Sequence, residues 1–326
     1  MKLTRNSKIF INYFLGPMLF CWLFWSIYQQ IAHQPGLKQA WHQIIRSWNV
    51  DKLLLLLASL GLMLFNWGLE AYKWKLAVAP VQRIPFLQAL QAIFAGVSFS
   101  VTTPNRVGEY FGRLMYVKEG SRLRTISVSI VGSISQLIIT LLFGLAGLLV
   151  LRPLIIQEGM VNETWMQVLI SGVSLVLIGF LLFYFRLRWI LHLLSRPGLK
   201  KLFYLIEALE QLDTKILLQM LLISLFRFLV FGLQYYLFFY LFEVDLTLLQ
   251  SFWTVNVSFL VMAVIPTIAI AELAQRGKVV ITLAGLFSGN HLGITLATAA
   301  VWMVNLIFPA LIGSLLILKK RKIVTA

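Results

Sequence analysis

Residues 98–113 read SFSVTTPNRVGEYFGR, a polar segment in a chain in which 60% of the residues are apolar. Thr103 can accept a hydrogen bond from the first turn of a helix that begins at Pro104, where the missing N–H of proline costs nothing. Such a helix start at Thr103, Pro104 and Asn105 offers free N–H groups and a positive dipole end. We predict that it binds an anion such as phosphate, with Arg106 as a bidentate partner.

The composition around this segment excludes an ordinary soluble enzyme. Only 12% of the 326 residues are charged, whereas soluble domains contain about 25%. A membrane-spanning helix needs about 20 apolar residues in a row, so the chain has room for several. The net charge of +16 lies in short loops between apolar runs, where the positive-inside rule accounts for it. We therefore expect membrane lipids as partners and no nucleic acid.

Eight apolar stretches are long enough to enter a membrane. They cover residues 9–32, 53–69, 84–105, 125–151, 164–185, 216–242, 246–271 and 279–318. The last stretch is too long for one helix and contains the turn-like residues 288–291. It predicts a short apolar arm followed by a span from about Gly293.

The distribution of basic residues tests whether all eight stretches cross. With a cytoplasmic amino terminus and eight crossings, 11 basic residues lie inside and 16 outside, with Arg227 in the membrane. If the third and seventh stretches enter and return on the same side, 21 lie inside and 6 outside. The positive-inside rule favours the second arrangement. We predict an all-α integral membrane protein of the inner (cytoplasmic) membrane, with six full transmembrane helices, two re-entrant hairpins and both termini cytoplasmic.

This topology predicts an inverted repeat of two halves, 1–163 and 164–326, within a single polytopic domain. Each half has three spans. Because three is an odd number, the chain ends the first half on the far side of the membrane, so the second half begins on the opposite side from the first. Short similarities agree: GLEAY at 68–72 resembles GLQYY at 232–236, and both hairpins reach a proline followed by a Glu and an Arg. Many transporters use inverted repeats with interrupted helices to build a site that is reachable from either side.

Arg227 is the most informative single residue. It lies about 12 residues past Lys215, or roughly 18 Å along a helix, near the middle of a hydrocarbon layer about 30 Å thick. An unpaired Arg at that depth is costly. Two interpretations remain open: a structural ion pair with Glu70, Glu109 or Glu272, or a charge that meets an anionic headgroup during its crossing.

Other polar residues complete a candidate substrate-binding set. Glu109 and Arg113 have the i, i+4 spacing of a helical ion pair, and Gly108 and Gly112 allow the close approach of another helix or a lipid. The full set is Glu70, Arg106, Glu109, Arg113, Arg227, Glu272 and Arg276. Two alternatives stay open: residues 98–113 form an interfacial turn with no ligand, and Glu70 is an interfacial carboxylate at the end of its span.

Motifs for catalysis or cofactor binding are absent from the sequence. No Gly-x-x-x-x-Gly-Lys-Ser/Thr loop is present, and the four histidines are scattered. We expect no ATP hydrolysis, no metal, no cofactor and no catalytic residues.

At three places the chain resembles the lysylphosphatidylglycerol synthase transmembrane-region family, also called flippase-like membrane proteins. These are GLEAYKW at 68–74, TPNRVGE at 103–109 with Arg113, and Ile265-Pro266 followed by Glu272. Members usually carry glycines between the second proline and the glutamate, whereas residues 267–271 contain none. Larger members add a cytosolic domain that attaches the amino acid, and the sequence to Ala326 contains no such domain. The resemblance therefore implies translocation rather than lysyl transfer.

The leading hypothesis is a flippase-like translocator of a phospholipid or a lipid-linked anionic headgroup, not driven by ATP. In this hypothesis Arg106 and Arg113 bind the phosphate from the cytoplasmic side, Arg227 meets it midway, and Glu272 with Arg276 forms the outer mouth. One alternative is a non-transporting membrane subunit that supports a lipid-modifying or envelope-synthesis partner. Another is a membrane transferase that uses a lipid-phosphate donor.

Overall fold

The computed structural model describes residues 25, 49–101, 103, 106–186, 209, 212–265 and 269–324, without the side chains of 269–272 and 319–324. The described residues form helices and no strand. The α-helices are α1 (Val50–Val78), α2 (Phe86–Ser100), α3 (Gly108–Leu114), α4 (Arg122–Gln157), α5 (Glu163–Phe185), α6 (Thr214–Leu241), α7 (Leu248–Val264), α8 (Ala269–Ala284), α9 (His291–Trp302) and α10 (Phe308–Val324). A 3₁₀ turn, Glu119–Ser121, precedes α4, and a π-helical turn, Met303–Ile307, joins α9 to α10.

Five helical segments in the described ranges are long and apolar enough to cross a membrane. They are Val50–Val78, Glu119–Gln157, Glu163–Phe185, Thr214–Leu241 and His291–Leu318. The all-helical prediction is confirmed for this part of the chain, and the predicted first span at 9–32 lies outside the described residues apart from Trp25. The predicted break before Gly293 is confirmed, because α9 begins at His291 after non-helical residues 285–290.

Helices α2 and α7 are shorter than the five candidate membrane spans. They have 15 and 17 residues, which corresponds to about 22 and 25 Å at 1.5 Å per residue. A hydrocarbon core is about 30 Å thick, so neither helix is long enough to cross it alone. Both are the stretches that the charge distribution predicts to turn back.

Helices α2 and α3 form a tight antiparallel hairpin. A Cβ on Gly112 would overlap the backbone of Ala95, and a Cβ on Gly108 would overlap that of Phe99. Near the open end, Gln88 Nε2 donates to the Tyr116 carbonyl at 2.7 Å. The predicted close approach at the two glycines is therefore confirmed, and the neighbour is α2.

The expected helix start at Pro104 is wrong. Helix α3 begins at Gly108, because Arg106 has a φ of 57°, a left-handed conformation that an α-helix cannot include. The Thr103 side chain still caps the turn: its Oγ1 accepts from the Gly108 N–H at 2.7 Å. Pro104 and Asn105 lie outside the described residues, so the anion site predicted on them has no structural description.

Helices α7 and α8 form the second hairpin, which lies in the second half of the sequence. The Arg276 guanidinium lies 5.6 Å from the centre of the Phe259 ring, which brings the two arms side by side. Three further contacts organise the bundle: α1 packs on α6, α4 on α7, and α10 on α2. Helices α1 and α6 are antiparallel, since Lys73 contacts Ser224 whereas Gln234 contacts Ser59.

Candidate functional site

The Glu70 carboxylate on α1 lies at the centre of a buried ion-pair network. Its Oε2 is 2.5 Å from Arg227 Nη1 and 3.0 Å from Lys73 Nζ. Its Oε1 is 3.1 Å from Arg113 Nη2. All four side chains are at most 9% exposed. Buried charges are tolerated only when they are paired, so one carboxylate stabilises cations from α1, α3 and α6 at once.

Both guanidinium groups have further partners. Arg113 Nη2 donates to Glu109 Oε2 at 2.9 Å, which is the i, i+4 pair expected from the sequence. Arg227 Nε donates to Asn66 Oδ1 at 2.8 Å, and its Nη1 donates to Gln136 Oε1 at 3.2 Å. Its guanidinium carbon also lies 5.9 Å from the centre of the Trp67 ring. The ion pair with Glu70, one of the two interpretations of Arg227, is present in the structure.

A layer of serines supports the network from α4 and α6. Lys73 Nζ donates to Ser224 Oγ at 3.2 Å, and Ser224 Oγ lies 2.9 Å from Ser135 Oγ. Gln136 Nε2 reaches the Ser224 carbonyl at 3.4 Å. These contacts link α1, α4 and α6, so the cations are held on a rigid frame.

A cavity of about 740 Å³ opens beside the network. Its volume falls in the range of small-ligand sites, roughly 300–1,000 Å³. The charged side chains that line it are the cations Lys73, Arg106, Arg113, Arg227 and Arg276 and the carboxylates of Glu70 and Glu109. Five cations against two carboxylates leave a surplus of three positive charges among the described lining residues. The tip of the second hairpin, residues 262–265, closes the cavity with apolar side chains.

The structure brings together six of the seven predicted substrate-binding residues. Glu70, Arg106, Glu109, Arg113, Arg227 and Arg276 all line this cavity. The side chain of the seventh, Glu272, lies outside the described part of α8. Among the described residues, no three His, Cys, Asp or Glu side chains lie close enough to hold a metal ion.

Three residues of the network are absent from the predicted set. Asn66 and Lys73 lie four residues before and three residues after Glu70, and therefore share its helix face. That spacing is the signal that could have identified them. Gln136 could have been noticed as an amide inside the apolar stretch 125–151, where polar groups are expensive.

Comparison with known proteins agrees with this architecture. The family described as "Lysylphosphatidylglycerol synthase TM region" matches residues 14–317 of the 326. The chain belongs to this family. No curated protein matches it. As a member of the lysylphosphatidylglycerol synthase transmembrane-region family, the chain is a multi-pass membrane protein related to lipid modification or translocation. The match covers the two hairpins, the ion-pair network and the cavity.

Proposed function

We propose that the protein moves a lipid with an anionic headgroup between the two leaflets of the inner membrane. The observation that carries this proposal is the cavity between the two hairpins, whose described lining has five cations and two carboxylates. A phosphate is an anion of suitable charge, and arginine recognises it by paired hydrogen bonds. The acyl chains stay in the surrounding bilayer.

The ion-pair network provides a way to bind and release such an anion. Arg113 already shares two carboxylates, Glu70 and Glu109, so an incoming phosphate can replace one carboxylate without leaving the guanidinium unpaired. The buried Nε of Arg113 has no hydrogen-bond partner in the described chain. Exchange of one anion for another keeps the energetic cost low in both directions. Binding that is reversible from either side is what translocation requires.

We infer an inverted repeat of residues 1–163 and 164–326 as the basis of access from both leaflets. In such a repeat, α1 corresponds to α6, α2 to α7, and α4 to α9–α10. The packing of α4 on α7 then corresponds to the packing of α10 on α2, and both contacts are present. Glycines make the close contact in both pairs. A Cβ on Gly144 would come within 2.6 Å of Leu260 Cβ, and a Cβ on Gly313 would overlap the Phe94 carbonyl. In this proposal the hairpins enter from opposite leaflets.

The proposed orientation places both termini in the cytoplasm, with six full spans and two re-entrant hairpins. The 21 basic residues on the cytoplasmic side and 6 on the other support it. The ion pair between Lys52 and Glu243 then lies on the outer side, at 2.7 Å. No ATP-binding loop occurs in the sequence, so the movement is coupled to a gradient or proceeds without coupling.

The decisive experiment is leaflet exchange by the purified chain in vesicles that contain a fluorescent anionic phospholipid. Arg106→Gln and Arg276→Gln each remove one cavity charge and should slow exchange at least tenfold. Arg152→Gln is the matched control, because Arg152 pairs with Glu163 between α4 and α5 and does not line the cavity. Wild-type rates for both cavity variants would contradict the proposal. Absence of exchange by the wild-type chain would favour the non-transporting membrane subunit, and product formation from a lipid-phosphate donor would favour the transferase.

A further inference from the structure

Three cavity-lining side chains have hydrogen-bonding atoms that no described protein atom satisfies. They are Trp67 Nε1, Trp302 Nε1 and Asn305 Oδ1. Their residues are 6%, 5% and 7% exposed, respectively. Buried polar groups in folded proteins are nearly always paired, because an unpaired group loses its hydration without compensation. Among the uncharged side chains that line the cavity in the described chain, these are the ones with a buried, unpaired hydrogen-bonding atom.

The π-helical turn Met303–Ile307 positions Asn305. Such turns are rare and occur frequently at functional sites. Asn305 Nδ2 donates to the Val301 carbonyl at 3.1 Å, which fixes the amide and leaves Oδ1 as the unsatisfied atom. Helix α1, which carries Trp67, packs against the same turn. The Trp67 ring is held edge-to-face by Phe94, with ring centroids 6.2 Å apart.

The three atoms are chemically complementary to a hydroxyl group. The two indole N–H groups donate, whereas Asn305 Oδ1 accepts. The non-bridging oxygens of an ionised phosphodiester only accept and cannot satisfy Asn305. A hydroxyl group both donates and accepts, so it can pair with an indole N–H and with an amide oxygen.

We propose that Trp67, Trp302 and Asn305 form a neutral subsite that binds the hydroxyl groups of a polyol or sugar headgroup. The phosphate of the same lipid lies at the cations of the ion-pair network. This assignment rests on the proposed function, because it places a lipid headgroup in the cavity. A site built for a hydroxyl rejects an analogue without one, since the analogue leaves buried polar atoms unpaired.

The test compares anionic lipids with and without hydroxyl groups beyond the phosphate. The probes are fluorescent phosphatidylglycerol, phosphatidylinositol and phosphatidic acid, each in vesicles with the full chain at about pH 9, where the phosphomonoester of phosphatidic acid is ionised and carries no P–OH. Two readouts are taken: the rate of leaflet exchange, and the ratio of bound lipids on the purified protein by native mass spectrometry. Wild-type protein should prefer the two hydroxylated lipids over phosphatidic acid in binding and exchange.

The variants Trp302→Phe and Asn305→Leu remove one hydrogen-bonding group each and keep the approximate shape. Each should reduce the preference for the hydroxylated lipids over phosphatidic acid roughly three- to tenfold, the effect of one hydrogen bond. Trp74→Phe is the matched control. Trp74 is 2% exposed, its indole N–H donates to Ser129 Oγ at 2.9 Å, and it does not line the cavity. It should leave the preference unchanged.

The two proposals fail in different ways. Exchange without any preference, or an equal loss for all three lipids in both variants, would overturn the hydroxyl subsite and leave translocation standing. Selective binding that both variants weaken, without exchange by the wild-type chain, would support the subsite and overturn translocation. Neither exchange nor selective binding would overturn both.

Discussion

Replacement of Glu70 by glutamine is the sharpest test of the ion-pair network. The Glu70 carboxylate contacts Lys73, Arg113 and Arg227, and all of these side chains are at most 9% exposed. In Glu70→Gln, Arg113 keeps Glu109, whereas the described residues offer Lys73 and Arg227 no second carboxylate within ion-pair distance. Removal of one partner from a buried ion pair costs about 3–5 kcal/mol, because a charge remains in the interior without compensation.

Thermal melting of the purified protein in detergent measures this cost. For a large domain, 1 kcal/mol corresponds to about 2–4 °C in the melting temperature, so Glu70→Gln should melt roughly 6–20 °C lower. Glu243→Gln is the control. Glu243 pairs with Lys52 but its side chain is 56% exposed, and an exposed pair contributes little, so the shift should stay within about 2 °C.

A double variant separates lost charge compensation from altered packing. Lys73→Met removes one of the cations that Glu70→Gln leaves uncompensated, so the double variant should melt higher than Glu70→Gln alone. Strictly additive losses, or a Glu70→Gln protein that melts within 2 °C of the wild type, would refute the buried network.

Two further predictions concern the hairpin and the topology. Gly112→Ala should destabilise the protein by about 1–3 kcal/mol in the same melting assay, because the new Cβ overlaps the backbone of α2. Gly61→Ala is the control and should not destabilise the protein, since nothing lies within 4 Å of its Cβ. With Cys21 replaced by serine, a membrane-impermeant maleimide added to intact cells should label a cysteine at Glu243 and not one at Lys118; the reverse pattern would contradict the proposed orientation.

Sequence reasoning located most helices of the described chain but ended α1 too early. The apolar stretch 53–69 ends at the first charge, but α1 continues to Val78. The helix continues because Glu70 and Lys73 point to the same buried face and neutralise each other, 3.0 Å apart. A count of apolar residues takes closely spaced charges such as Glu70, Lys73 and Lys75 as the end of a span, and it cannot recognise charges that compensate one another inside the protein.

The sequence predicts which residues form the site better than it predicts which of them pair with one another. Arg227 is recognisable from sequence because the cost of a charge at membrane depth is local. Its partner is narrowed only to Glu70, Glu109 or Glu272, since Glu70 lies 157 residues away and the pairing depends on the register of α1 against α6. A shift of one helical turn, about 5.4 Å, would break the contact. Long-range contacts such as Gln234 Nε2 with the Ser59 carbonyl, at 2.9 Å, fix that register, and sequence alone contains no measure of them.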